Sequence, residues 1–167
     1  MRHGFIKVAA ATPDIRVADV DYNKGQIIKQ MDEAAEAGAK IIVFPELCIT
    51  GYTCSDLFLQ ESLLDGAGKA LLTLTEATRG KNMVVLAGLP LTVNGVLYNV
   101  AAVLHDGDIL GFVPKSYLPT YSEFYEGRHY HSGADIETDV LFNGRTYPFG
   151  TRLLFRCRQM PAFTLGI

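Results

Sequence analysis

Cysteine is scarce, with three in 167 residues, at positions 48, 54 and 157. The number is odd and no two have the CxxC spacing, so a disulfide framework is excluded and a reducing, cytoplasmic setting is expected. A surplus of positive charge is also missing. The formal net charge is -3, and Lys and Arg are scattered, with only "RCR" at 156–158 locally dense. That pattern lacks the electrostatic footprint of a nucleic-acid partner. No segment approaches the roughly 20 apolar residues that span a bilayer, so no membrane partner is expected. The opening "MRHGFIKVAAATP" has the basic start of a signal peptide, but Lys7 interrupts a run already too short for its hydrophobic region, and a first β-strand is the better reading. Internal repeats, linkers and low-complexity segments are absent.

What is present describes one globular domain: 49% hydrophobic and 20% charged residues, in a chain long enough to bury a substantial core. Residues 5–10 read as a strand. "DYNKGQIIKQMDEAAEAGAK" reads as a helix with Asp21 as N-cap, an apolar face of Ile27, Ile28, Met31, Ala34 and Ala35, and Gly38 at its close. "KIIVF" is a short strand of the kind buried on both faces. A second helix fits Glu61 to Thr78, with Leu63, Ala67, Ala70, Leu71, Leu74 and Ala77 as its stripe, and "MVVLAGLP" is a further buried strand. From Leu97, "LYNVAAVLHDGDILGFVPK" reads as two strands joined by Asp106-Gly107, and "VLFNGRTYPFG" repeats that logic with Asn143-Gly144. Between them lies the polar and aromatic loop "SYLPTYSEFYEGRHYHSG", and "AFTLGI" reads as a last apolar strand. The order implies an α/β or α+β layered domain.

Two residues stand out chemically. Glu46 lies just past the end of a buried strand, where open α/β sheets place ligands, and Pro45 restricts the backbone that presents it; a solvated loop glutamate is the competing reading. Lys115 ends a strand and also follows a proline. A lysine there, beside a carboxylate, can stabilise a developing oxyanion as a fixed cation; alone it would read as a surface lysine. Cys48 sits two residues beyond Glu46, but no histidine is near it in sequence and its apolar neighbours favour a packed thiol over a nucleophile. "HYH" at 129–131 lacks the spacing of a metal site, and "SGADIETD" at 132–139 reads as a turn.

Together, "VFPELCITGY" resembles the glutamate motif of the nitrilase superfamily of carbon-nitrogen hydrolases. "GFVPKSYLPTYSEFYEGRHY" resembles its lysine motif, in the version found in the glutaminase domains of glutamine-dependent NAD synthetases. The "AGAKIIVFPEL" lead-in, "GLP" and "LYNVAAVLHDGDILG" follow the same family in the same order. The resemblance implies a four-layer α-β-β-α sandwich and a Glu-Lys-Cys triad. Carried onto this sequence, Glu46 matches the general base and Lys115 the cation. Tyr121 and Phe124 match the lining of a glutamine pocket, and Glu126 matches a second glutamate that positions the lysine.

The family's nucleophile motif, of the type "EICEDLW", has no match, and the setting of Cys157, "FRCRQ", is unlike it. The expectation is therefore a partial glutaminase domain over residues 1–167, its sandwich incomplete at the C-terminal side, with the nucleophile beyond Ile167 and no activity of its own. The resemblance further implies glutamine as the substrate of this domain. It implies no cofactor or metal here, and ATP, magnesium and deamido-NAD in a separate synthetase domain of a homo-oligomeric parent protein. A stand-alone nitrilase-type amidase, also partial, and a non-catalytic interaction domain are the alternatives.

Overall fold

The computed structural model describes residues 4–167; residues 1–3, the basic start of the opening stretch, lie outside the described residues. In chain order the elements are β1 (Val8–Ala10), α1 (Val20–Glu36), β2 (Ile41–Val43), a 3-10 turn (Ser55–Leu59), α2 (Glu61–Ala77), β3 (Val84–Val93), β4 (Val96–His105) and β5 (Asp108–Pro114). A single-turn helix α3 (Glu126–His129), β6 (Glu137–Phe142), β7 (Arg145–Gly150) and the short β8 (Phe155–Arg156) and β9 (Thr164–Leu165) follow. No helix among the described residues is long and apolar enough to cross a membrane.

Helix α1 buries Ile27, Met31 and Ala34 along one face, as its periodicity dictates. It starts earlier than expected. Asp19, not Asp21, is the N-cap, accepting from the Tyr22 amide at 3.1 Å, and Asp21 lies in the first turn, paired with Lys24 at 2.6 Å. The extra residues are helical because Val20 packs against the core. Helix α2 buries Leu63, Ala67, Ala70, Leu71 and Leu74.

Seven strands form one sheet in the order β1-β2-β3-β4-β5-β7-β6, with β1, β2 and β3 parallel. Asp106-Gly107 and Asn143-Gly144 make the expected tight turns, both residues of each at positive φ. A third such turn, Asn94-Gly95, joins β3 to β4, so β3 runs to Val93 rather than ending at Pro90. One sheet face, with Val85, Ala87 and Leu89 beside Val100, Ala102 and Leu104, is covered by the two helices. This helix layer and sheet are two of the four layers expected; the other two are not among the described residues. On the opposite face, the β8–β9 ribbon and the sheet line a cavity of about 570 Å³ that includes Ile41, Val84, Leu110, Phe155 and Phe163. Val43, expected to be buried on both sides, is exposed. "AFTLGI" forms only the two-residue β9, because Pro161 and a turn closed by the Phe163 amide on the Met160 carbonyl interrupt it.

Candidate active site

Three segments far apart in sequence meet beyond the ends of β2 and β5. The first is the turn after β2. The Phe44 amide donates to the Leu86 carbonyl at 3.0 Å, and the Ile49 amide donates to the Gly88 carbonyl at 3.2 Å. Between these ties the chain bends through Pro45, Glu46 and Leu47. Leu47 is fully buried at φ +51°, a left-handed conformation that a leucine holds only when packing imposes it. The turn lies directly on β3, and Gly88 is what permits this: a Cβ there would come within 2.4 Å of the Leu47 nitrogen and 3.0 Å of the Glu46 carbonyl carbon. Asn23 of α1, fully buried, braces the turn from behind by donating to the carbonyls of Arg16 and Ile49 at 2.8 and 3.1 Å.

The second segment is Lys115, whose amide donates to the Asn99 carbonyl at 2.8 Å and so extends the β4–β5 pairing past Pro114. The third is α3, which places Glu126 at its first position. Lys115 Nζ donates to Glu46 Oε1 at 2.7 Å and to Glu126 Oε1 at 2.8 Å. Burial works against the lysine's charge, but the hydrogen bonds to Glu126 and Glu46 and the charges of both carboxylates outweigh it, holding the ammonium above its ordinary range.

The two carboxylates differ sharply in setting. The Glu126 side chain is 5% exposed; its Oε1 also accepts from the Tyr52 hydroxyl at 2.6 Å, while its Oε2 is buried with no partner among the described residues. Burial, then the Glu126 hydrogen bond and charge, push the Tyr52 hydroxyl pKa up, so it stays a neutral donor. The Glu46 side chain is 39% exposed. Its Oε1 takes Lys115 and the Asn99 side-chain amide, and its Oε2 has no hydrogen-bond partner among the described residues. A carboxylate with one oxygen tied and one open, next to a fixed cation, can accept a proton while the cation stabilises an oxyanion.

Glu46, Lys115 and Glu126, singled out from sequence, are thus in direct contact. Phe124 stands beside them, edge-on to Tyr52 at 6.4 Å between ring centroids. Tyr121 reaches the cluster only through Phe124, at 5.7 Å, and is itself exposed. Tyr52, Asn99 and Gly88 were missed; the strand-buried asparagine and the tyrosine closing the "ELCITGY" stretch were the available signals. Cys48 is not part of the cluster. It sits in the helix-side core, donates weakly to the Gly88 carbonyl at 3.7 Å, and burial pushes its pKa up to about 12. Cys54 is likewise buried, and Cys157 lines the distant cavity under the β8–β9 ribbon. His129 bonds Asp56 at 3.1 Å, and among the described residues no three His, Cys, Asp or Glu side chains converge as a metal ligand set.

A carboxylate with an open oxygen, an ammonium and a second, buried carboxylate thus meet on one lip of an α/β sheet. Consistent with this, residues 7–154 match the carbon-nitrogen hydrolase family, and the chain belongs to that family. It is 40% identical over 166 residues to the glutamine-dependent NAD(+) synthetase of Mycobacterium tuberculosis, a match covering 99% of this chain and 24% of that protein. Among solved structures, the glutamine-dependent NAD(+) synthetase of Cytophaga hutchinsonii superposes with a TM-score of 0.86 at 30% identity, covering 92% of this chain and 26% of that one. That of Acinetobacter baumannii, in complex with ADP, superposes with a TM-score of 0.73 at 32% identity, covering 86% and 27%. The chain therefore spans about a quarter of the length of the relatives it matches.

Proposed function

We propose that this chain is the base-and-cation part of a glutaminase site that serves NAD synthesis in a longer protein. The contact of Lys115 with both Glu46 and Glu126, across separations of 69 and 11 residues, is the observation that carries the reading; the similarity to glutamine-dependent NAD synthetases gives it its substrate. Glu46 Oε2 takes the proton of a cysteine thiol, and the thiolate attacks the glutamine carboxamide carbon. Lys115 Nζ stabilises the resulting oxyanion. The carbon-nitrogen bond then breaks, Glu46 returns the proton to the leaving nitrogen, and ammonia departs. Water, deprotonated by Glu46, hydrolyses the γ-glutamyl thioester to glutamate. Tyr121 and Phe124 line the amino-acid pocket, and Glu126 holds Lys115 in place.

The thiol comes from outside the 167 residues, a reading supported by the burial of Cys48 and Cys54 and by the place of Cys157 in the cavity under the β8–β9 ribbon. The ammonia passes to a separate domain, which uses ATP and magnesium to aminate deamido-NAD. In the longer protein, Glu46→Gln abolishes NAD formation from glutamine and spares formation from added ammonia; equal loss of both overturns the reading. The 167-residue chain alone releases no ammonia from glutamine, and cysteine-dependent turnover by it would show that the thiol lies within.

A further inference from the structure

Asn99 is the polar residue of the sheet that its position explains least. It lies inside β4, between Tyr98 and Val100, and is only 3% exposed. Asparagine is depleted in strands, and a buried amide without partners is costly, so an apolar residue would suit the position better for folding alone. Its contacts account for it. The side-chain Nδ2 donates to Glu46 Oε1, the same oxygen that accepts from Lys115 Nζ, and the backbone carbonyl accepts from the Lys115 amide at 2.8 Å. The opposite residue on β3 is Pro90, which has no N–H to offer; Asn99 turns its backbone toward β5 and Lys115 instead. The carboxylate fixes the sense of the amide, because a flipped side chain would set its carbonyl oxygen against Oε1.

We propose that Asn99 is a positioning residue for both charged partners: its side chain orients Glu46, its main chain anchors Lys115, and Oε2 is left as the open oxygen of the Glu46 carboxylate. The proposal rests on the reading of Glu46 as the base, and it deepens that reading in a specific way. A carboxylate free to rotate would present either oxygen to Lys115 and trap the other at random. With Oε1 held by two donors from β4 and the β5 end, rotation about the terminal torsion is closed off, and the proton acceptor keeps one direction throughout the reaction. An amide serves this role better than a charged donor. It contributes no second cation to stabilise the oxyanion in competition with Lys115, and its N–H protons are too weakly acidic to pass to a carboxylate.

The test uses side-chain NMR of the 167-residue chain, with amide chemical shifts away from the site reporting that each variant is folded. In Asn99→Leu, Glu46 passes from one side-chain rotamer to several, and the Lys115 ammonium protons exchange with water about tenfold faster or more. Asn99→Asp, the same shape with acceptors only, disturbs Glu46 at least as much. A folded Asn99→Leu chain with an unchanged Glu46 rotamer and unchanged Lys115 exchange overturns the proposal, as does a folded Asn99→Asp chain in which Glu46 stays as ordered as in the parent. Should Asn99→Leu not fold, Glu46→Ala gives the reciprocal measurement: the slow Asn99 side-chain amide proton of the parent chain becomes fast, and its remaining slow overturns the proposal. None of these readouts depends on glutamine, so failure of the glutaminase reading shows in the kinetic experiment above and failure of the clamp shows here.

Discussion

Gly88→Ala is the smallest change that should disturb the site without touching a charged group. The added methyl would stand 2.4 Å from the Leu47 nitrogen and 3.0 Å from both the Glu46 carbonyl carbon and the Pro45 oxygen. All three are backbone atoms, so no side-chain rotation relieves the contact. Reaching ordinary van der Waals separation of 3.4 Å requires the turn to retreat from β3 by about 1 Å. That retreat stretches the Ile49–Gly88 hydrogen bond, already 3.2 Å, and draws Glu46 away from Asn99 and Lys115. Overpacking of this kind costs about 1–3 kcal/mol. We expect urea denaturation to show a loss in that range at an unchanged slope, and a crystal structure of the variant to show the Lys115–Glu46 contact broken while Lys115–Glu126 survives. A variant of parental stability with both lysine contacts intact would refute the claim that the close approach at Gly88 holds Glu46 in place.

Two further outcomes follow from the charges and thiols. Lys115→Met leaves the buried Glu126 with Tyr52 as its one donor, and because the lysine is partly solvated we expect a loss of roughly 2–4 kcal/mol in urea unfolding near neutral pH. The folded state raises the Lys115 pKa, so its stabilisation is whole below the ordinary value of 10.5 and fades as the pH climbs through that value to the folded one; the stability gap between parent and variant must therefore narrow on going from about pH 8 to about pH 11, and a constant or widening gap contradicts the pairing. With an uncharged alkylating reagent at neutral pH, Cys157 reacts in the native chain while Cys48 and Cys54 react only on unfolding; native labelling of Cys48 at the rate of Cys157, read by peptide mass spectrometry, would reopen its candidacy as a nucleophile.

The helices and the hairpins were legible because each rests on a local rule. Apolar spacing of 3.6 placed α1 and α2 within a residue or two, and Asx-Gly pairs placed two of the three tight turns. The third, Asn94-Gly95, obeyed the same rule but was hidden by Pro90, which reads as a strand end although its missing N–H faces no partner on β4. The site divides in the same manner. Glu46 and Lys115 show themselves by following prolines at strand ends. Asn99 and Gly88 do not, since the first looks like an interruption of a strand and the second like an ordinary small residue, and only the folding of the β2 turn onto β3 gives either a purpose. Cys48 shows the converse, because adjacency in sequence puts its thiol near Glu46 while the left-handed Leu47 between them sends the two side chains to opposite sides of the sheet.

Two carboxylates sharing one ammonium raise the question of which one moves a proton, and burial decides it. Glu126 is enclosed, with its Oε1 occupied by both Lys115 and Tyr52. Its Oε2 is buried as well, out of reach of a group that could deliver a proton, so Glu126 serves as the fixed partner of Lys115. Glu46 is more exposed, and its second oxygen is open. A proton arriving on Oε2 leaves the Oε1 contacts with Asn99 and Lys115 in place and weakens, without abolishing, the hold on the cation. In the reaction proposed above, Lys115 remains tied to Glu126 while the Glu46 charge comes and goes. On the proposed reading of Glu46 as the base, the second glutamate keeps the ammonium in position while the hold of the first is weakened.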